Sequence, residues 1–204
     1  MAMKKIGISL ALIFAFFFMK AQHLFSPHDS YYGFHVGYSV NQVYNYASLY
    51  RPFILLFFNG FPLHSRHDEK FFSLYYEPQF NPVIFNNTLE VEFGINLGLS
   101  YTWKLGNRLQ SFISLGTGPH YITVALPRQA PGFSFSDNIA LGIERQIFLA
   151  AHSYNLNVQY RYRHVSNAGL RIPNGGINNG FLIVGLTREI QKPQKRFLRS
   201  SEKN

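Results

Sequence analysis

The stretch LEVEFGINLGLSYTWK, residues 89–104, alternates strictly between apolar positions and polar or small ones. Its odd-numbered positions carry aliphatic and aromatic side chains, and its even-numbered positions carry Glu, Gly, Asn, Ser, Thr and Lys. Such alternation puts each class on one face of a β-strand, which a helix cannot do. At about 3.4 Å per residue, the stretch exceeds the roughly 9–11 residues that a tilted strand needs to cross a bilayer. It therefore predicts a membrane-spanning strand with one apolar and one polar face.

Less regular alternation predicts seven further strands, at 31–40, 51–58, 70–80, 109–121, 132–145, 154–166 and 179–190. The 51–58 strand is the weakest of them, because RPFILLFF is continuously apolar. An even number of strands suits a closed antiparallel barrel. The sequence thus predicts an all-β fold, an eight-stranded antiparallel transmembrane β-barrel, with a soluble lipocalin-type barrel as the structural alternative.

The connectors between these segments favour the membrane barrel. LGNR at 105–108 predicts a tight turn, and 59–69 is irregular. Longer connectors are predicted at 41–50, 81–88, 122–131 and 167–178, and they alternate with the shorter ones. Long loops on one side and short turns on the other are typical of outer-membrane barrels, whose long loops are extracellular.

The first residues resemble a targeting segment. Lys4 and Lys5 precede an uncharged apolar run at 6–18, and Ala21 is a small residue at a plausible cleavage site. This run is short for a spanning helix, which favours a cleaved signal peptide at 1–21 over an uncleaved anchor. The barrel is then expected over 22–190, and a basic polar tail over 191–204.

Composition supports secretion and a membrane location. The chain has 21 Phe and 13 Tyr, while charged residues make up 14% of it, against about 25% in a typical soluble domain. The absence of Cys excludes a disulfide framework and a thiolate nucleophile. No phosphate-binding loop or nucleic-acid motif is found, so no nucleic-acid partner is expected. The sequence therefore predicts a protein of the bacterial outer membrane.

Parity decides which way the end of the 154–166 strand points. Odd positions from 155 to 163 carry Asn, Gln and Arg, whereas the even positions are Leu156, Val158, Tyr160, Tyr162, His164 and Ser166. The polar row of a membrane barrel lines the interior, so His164 and Ser166 continue the lipid-facing row. Residues i and i+2 are about 6.5–7 Å apart, which lets an imidazole approach a hydroxyl. The alternative is a pair of ordinary interfacial polar residues at a strand end.

The loop after this strand is rich in Asn and Gly. With both termini on the periplasmic side, the seventh strand runs outward and the 167–178 loop is extracellular. Gly and Asn permit unusual backbone angles, so the loop can present amide N–H groups to an oxyanion, although the same residues also serve ordinary turns.

The segment HVSNAGLRIPNGGIN, 164–178, resembles the H-x-S-N-x-G…N-x-G motif of the lipid A 3-O-deacylase family (PagL-type, acyloxyacyl hydrolase-like). YEPQ at 76–79, GPHY at 118–121 and GFSFSD at 132–137 support the resemblance, which spans roughly residues 30–190. It implies an eight-stranded outer-membrane barrel that hydrolyses the ester-linked acyl chain at the 3-position of lipid A.

The resemblance also implies roles for particular residues. Ser166 corresponds to the nucleophile and His164 to its general base. Asn174 and the backbone around Gly169 correspond to oxyanion-hole donors, and Asn167 is expected to shape the same site. This mechanism needs no metal ion and no cofactor.

One position departs from the family pattern. Asn178 stands where the best-known members carry a Glu as the third member of the triad. An Asn can orient a His through its side-chain oxygen, but it adds no charge. Asp137 lies on the apolar-parity face of its own strand, yet a turn centred near 147–148 would pair it with about Val158, roughly 20 Å from His164. We therefore expect Asp137 to be out of reach and assign Asn178 as the third member.

Several other charged residues have simpler predicted roles. Arg171 and Arg128, in predicted outer loops, could contact lipid A phosphates. Arg161 and Arg163 should point into the barrel, where Glu90, Glu92 and Glu144 are candidate partners. The His-containing segment 64–69 is interpreted as a solvated connector rather than a metal site, because two His three residues apart in a turn make a weak metal motif.

The leading hypothesis is a membrane-embedded serine esterase, monomeric or homodimeric, that acts on lipid A in the lipopolysaccharide of the outer leaflet. A non-catalytic structural or adhesive barrel is the second hypothesis. The third is an esterase that acts on other acyl lipids, such as phospholipids.

Overall fold

The protein is a closed barrel of eight antiparallel strands, as predicted. The computed structural model describes residues 30–42, 50–63, 66, 68–149 and 152–190. Each strand pairs with the next, and the last pairs with the first. The strands are β1 (Tyr31–Gln42), β2 (Phe53–Pro62), β3 (Lys70–Phe85), β4 (Thr88–Lys104), β5 (Leu109–Ile122), β6 (Gly132–Leu149), β7 (His152–Ser166) and β8 (Ile177–Glu189).

The termini fall outside this description. The predicted signal peptide at 1–21 and the tail at 191–204 lie outside the described residues, so their boundaries stay predictions. Within the described ranges, no helix is long and apolar enough to span a membrane.

The barrel is apolar outside and polar inside. On β4, Leu97 and Leu99 are 47% and 41% exposed, whereas Glu92 and Asn96 of the same strand are fully buried. The odd and even rows predicted from residues 89–104 are thus the outward and inward rows. A closed barrel leaves no unpaired strand edge, and an apolar outer face matches the hydrocarbon of a bilayer.

The continuously apolar strand β2 packs an apolar patch into this polar interior. Ile54 and Leu56 point inward and form a buried cluster with Phe181 and Ile183 of β8. Phe53 and the other residues of opposite parity face outward. Alternation is absent from the sequence of β2 because both of its faces contact apolar surroundings.

Two connections differ from the prediction. The long connector expected at 81–88 is a two-residue turn at Asn86 and Asn87, with φ of 50° and 61°, and β3 continues to Phe85. Two successive positive φ angles are what a tight hairpin requires, and Asn tolerates them well. Likewise, β6 continues to Leu149 and β7 begins at His152, so the turn expected at 147–148 is part of a strand.

A buried ion pair joins Arg163 of β7 to Glu92 of β4 in the barrel interior. The two guanidinium NH2 groups contact the two carboxylate oxygens at 2.5 and 3.1 Å. Asn81 donates to Glu92 at 2.9 Å, and His120 contacts it at 3.2 Å. The hydroxyl of Tyr50 also donates to Glu92. Burial raises the pKa of Tyr50 well above its ordinary value, so this hydroxyl keeps its proton.

A second interior pair joins Arg161 to β3. Its guanidinium contacts both carboxylate oxygens of Glu77, at 2.7 and 2.8 Å. Both arginines therefore point into the barrel as predicted, and Arg163 takes one of the expected partners. The expected partners of Arg161 were wrong, because Glu77, which lies on the inward face of β3, pairs with it instead.

Arg66 closes the end of the barrel where β1 begins and β8 ends. It is 6% exposed, contacts Glu189 at 2.9 Å and Glu144 at 3.7 Å, and lies 4.1 Å from the ring centroid of Tyr31. The interpretation of 64–69 as a solvated connector is therefore wrong for Arg66. The two His residues of this segment, His64 and His67, lie outside the described residues.

Replacing Glu92 by Ala is expected to lower the free energy of unfolding by about 3–5 kcal/mol, because it leaves the Arg163 charge buried without its partner. Urea titration of the purified barrel in lipid vesicles measures this change. Glu90→Ala is the control, since Glu90 lies at the rim and its side chain bonds to Thr123, and it should cost less than about 1 kcal/mol. Equal effects of the two variants would contradict the central role of the pair.

Candidate active site

The C-terminal end of β7 carries His164 and Ser166 on the outer face of the barrel. Arg161, Arg163 and Val165 are buried inside, and the residues between them face outward. This is the parity that the sequence predicts. Both side chains are half-buried, so they lie at the surface that meets lipid.

The imidazole of His164 is bonded to β8. His164 and Asn178 are direct cross-strand partners, and His164 Nδ1 lies 2.7 Å from Asn178 Oδ1. The hydroxyl of Tyr162 donates to the same oxygen at 2.8 Å. Because an amide oxygen can only accept, Nδ1 must carry the proton in this bond. In this tautomer of the neutral imidazole, Nε2 carries the lone pair that a general base needs.

Gly176 packs against the other edge of the same ring. A Cβ built on Gly176 would lie 2.4 Å from Cε1 and 3.1 Å from Nε2 of His164. Its φ of 71° is also in the region that L side chains rarely adopt. Glycine is required here for two reasons, the close contact and the positive φ, and its close approach fixes the position of the imidazole.

Ser166 is the last residue of β7. It lies on the same face as His164, and its cross-strand partner on β6 is Phe135. Among the described residues, the Ser166 hydroxyl has no hydrogen-bond partner. The hydroxyl is therefore not committed to another group, and bonds between nucleophile and base are often loose before substrate binds.

The β7–β8 loop is organised by the buried side chain of Asn167. Its amide nitrogen donates to the carbonyl of Arg171 at 2.9 Å, and its oxygen accepts from the Gly169 N–H at 3.1 Å. The backbone N–H of Asn167 donates to Asn174 Oδ1 at 2.9 Å. The Gly169 amide expected to face an oxyanion thus bonds within the loop, whereas the exposed NH2 group of Asn174 has no acceptor among the described residues.

The β5–β6 loop lies against this loop. The Gly175 N–H donates to the carbonyl of Arg128 at 2.5 Å, and the guanidinium of Arg171 donates to the carbonyl of Pro131 at 3.3 Å. Arg128 and Arg171 are both exposed where the two loops meet. This places two cations at the end of the barrel that carries Ser166.

The position of Asp137 differs from the one predicted. It is the direct cross-strand partner of His164, not of Val158, and its side chain faces outward like that of His164. The expectation that it would be out of reach was wrong, because β6 continues to Leu149, which pairs with His152 and shifts the register of the two strands. Thr117 of β5 donates to Asp137 Oδ1 at 2.6 Å. A carboxylate therefore flanks His164 on the side opposite Asn178.

A groove of about 460 Å³ on the outer surface runs beside these residues. Leu97, Leu115 and Ile139 supply apolar lining, and His164 and Asp137 belong to the same groove. Such a groove can take a hydrocarbon chain while its polar groups meet an ester. In the part of the chain that the structure describes, no cluster of three or more His, Cys, Asp or Glu is placed to hold a metal ion.

Comparison with known proteins gives a family and a fold. The family model for lipid A 3-O-deacylase (PagL) matches residues 6–187. The solved structure of the outer membrane enzyme PagL is similar, with a TM-score of 0.51 and 17% identity, over 76% of this chain and 97% of that one. Neisserial surface protein A (NspA) has a TM-score of 0.52 and 13% identity, over 81% of this chain and 98% of that one. No curated protein matches the chain.

Replacing Gly176 by Ala should displace the His164 ring, because the added methyl group overlaps Cε1. Gly169→Ala is a matched control: its φ of 79° imposes similar backbone strain, but nothing lies within 4 Å of the new Cβ. We expect both variants to lose about 1–2 kcal/mol of unfolding free energy. Only Gly176→Ala should abolish the Nδ1–H hydrogen bond in the ¹⁵N NMR spectrum of the imidazole. Retention of that bond in Gly176→Ala would contradict the packing described.

Proposed function

The chain belongs to the lipid A 3-O-deacylase (PagL) family, and from that premise we propose that it is a serine esterase that removes the 3-O-linked acyl chain of lipid A. Its eight-stranded barrel is that of bacterial outer-membrane proteins. The observation that carries the proposal is the bond from His164 Nδ1 to Asn178 Oδ1. It leaves Nε2 as a base on the lipid-facing side, two residues from Ser166.

The proposed reaction proceeds through an acyl-enzyme. His164 Nε2 takes the Ser166 proton as Oγ attacks the ester carbonyl, and the imidazolium then gives this proton to the departing sugar oxygen. The acyl chain is now esterified to Ser166. Nε2 next takes a proton from water, whose oxygen attacks the acyl carbon, and the proton returns to Oγ. The products are the free fatty acid, 3-O-deacylated lipid A and the regenerated enzyme.

Stabilisation of the oxyanion is assigned to the β7–β8 loop. The NH2 group of Asn174 can donate, because the bond from the Asn167 N–H holds the oxygen end of the same amide. The Gly169 N–H would first have to exchange Asn167 Oδ1 for the substrate oxygen. We therefore assign the larger contribution to Asn174, with Asn167 as the residue that shapes the loop.

The surroundings of Ser166 suit lipid A as the substrate. The outer-surface groove offers an apolar path for the acyl chain along the barrel wall. Arg128 and Arg171 lie at the same end of the barrel, where guanidinium groups can bind the phosphates of lipid A in a bidentate manner. Because the reacting groups face outward, the substrate reaches them from the outer leaflet without entering the barrel.

Ser166→Ala is expected to abolish deacylation, a loss of about a thousandfold or more, because it removes the nucleophile. Mass spectrometry of lipid A from cells expressing each variant measures the loss of the acyl chain. Ser153→Ala is the control, since Ser153 lies at the far end of β7 and bonds to Gln146. Unchanged deacylation by Ser166→Ala would overturn the proposal.

The same assay separates the two other candidate functions. A structural or adhesive barrel would leave lipid A intact in the wild type as well. An esterase with a different substrate would release fatty acid from purified phospholipid rather than from lipopolysaccharide.

Asn178→Leu should lower kcat by about 10- to 100-fold with little change in KM, because the imidazole loses the acceptor that selects its tautomer. Release of fatty acid from lipopolysaccharide in detergent micelles measures both constants. Asn59→Leu is the matched control: Asn59 also faces outward and bonds to a tyrosine, Tyr76, at 2.9 Å, but it lies on β2. Comparable kcat values for the two variants would show that Asn178 has no role in catalysis.

A further inference from the structure

A polar row crosses the outer wall of the barrel at the level of His164. Thr117 pairs with Asp137, Asp137 with His164, and His164 with Asn178, on four successive strands. All four side chains share the outward parity, and Leu97 of β4 continues the row as the partner of Thr117. Asp137 is thus the acidic member of a polar row on the lipid-facing surface.

A carboxylate in this position needs an explanation. Ionisable side chains that face lipid are unfavourable and are kept where they have a function or a partner. Thr117 satisfies one oxygen, Oδ1, and so orients the carboxylate. Interior ion pairing does not explain Asp137, because the buried arginines of β7 point to the other face and bond to Glu77 and Glu92.

His164 needs a negative charge that its hydrogen-bond partner lacks. During both acyl transfers the imidazole becomes an imidazolium, and the neutral Asn178 orients it without stabilising its charge. Around His164, the neighbouring strands contribute Asp137 from β6 and Asn178 from β8, and its own strand contributes the Tyr162 hydroxyl. Asp137 is the anion in this set. Side chains that oppose each other directly across two strands have Cβ atoms about 4.5–5.5 Å apart.

We propose that Asp137 supplies the negative charge that stabilises the imidazolium of His164, in place of the acid that Asn178 does not provide. This inference rests on the proposed esterase function. Asp137 acts through His164 and is a positioning residue, since it touches neither the ester nor the nucleophile. The Thr117 hydroxyl holds the carboxylate in place, and the apolar surroundings strengthen its field at the imidazole.

Moving the carboxylate from one side of His164 to the other tests the proposal. Asp137→Asn, which keeps the shape and removes the charge, should lower kcat about tenfold and leave KM within about twofold. Adding Asn178→Asp to that variant returns a carboxylate to the opposite side of the ring and should restore kcat to within about threefold of wild type. A purely structural role for Asp137 would not be rescued by a carboxylate on another strand.

Further variants distinguish a lost charge from a lost fold. Asn178→Asp alone should change kcat by less than it does in the Asp137→Asn background, because a second anion adds little beside the first. Folding of every variant is checked by the shift in gel migration between unheated and boiled samples, and Asp137→Glu serves as the charge-conserving variant. Wild-type kcat in folded Asp137→Asn, or no recovery in the double variant, would overturn the inference alone. A wild-type protein that releases no acyl chain from lipopolysaccharide would overturn the proposed function together with it.

Discussion

The ion pair between Arg163 and Glu92 fixes the register on which the outer site depends. Arg163 also donates to Asn179 at 3.0 Å, and these two residues are cross-strand partners on β7 and β8. The next rung of the same ladder, on the opposite face, is His164 with Asn178. A slip of one residue would turn every side chain of a strand to the other face. The interior charges therefore hold the strands in the one alignment that brings imidazole and amide together outside.

Local alternation predicted the strands and the direction of each side chain, because the period of two is a property of a few adjacent residues. The alignment of β6 with β7 could not be predicted in the same way. Residues 145–154, RQIFLAAHSY, contain no Gly, Pro, Asn or Asp to mark the turn, so its centre was misplaced and Asp137 was assigned the wrong partner. The error at β3 went the other way: a connector was predicted at 81–88, yet the strand continues through Pro82 to Phe85.

The His164–Asn178 pair suits its position at the edge of a membrane. A neutral amide at the ring is cheaper to place against hydrocarbon than a carboxylate in direct contact, because an ion loses more hydration than a dipole. The chain combines this neutral contact with a carboxylate one strand away that is held by a hydroxyl. In the proposed mechanism, tautomer selection and charge stabilisation, which one acidic residue can perform together, are divided between two strands.

The order of the strands has a consequence for how such a protein can change. Asp137, His164 and Asn178 come from three consecutive strands, β6 to β8, whereas Glu92, Asn81 and Tyr50, which anchor Arg163, come from the first half of the chain. The proposed reactive groups thus come from consecutive strands in the second half of the chain, and the residues around Glu92 that hold Arg163 come from the first half. A barrel built in this way can gain, lose or exchange its outer reactive groups over evolutionary time while the inner salt bridge preserves the scaffold.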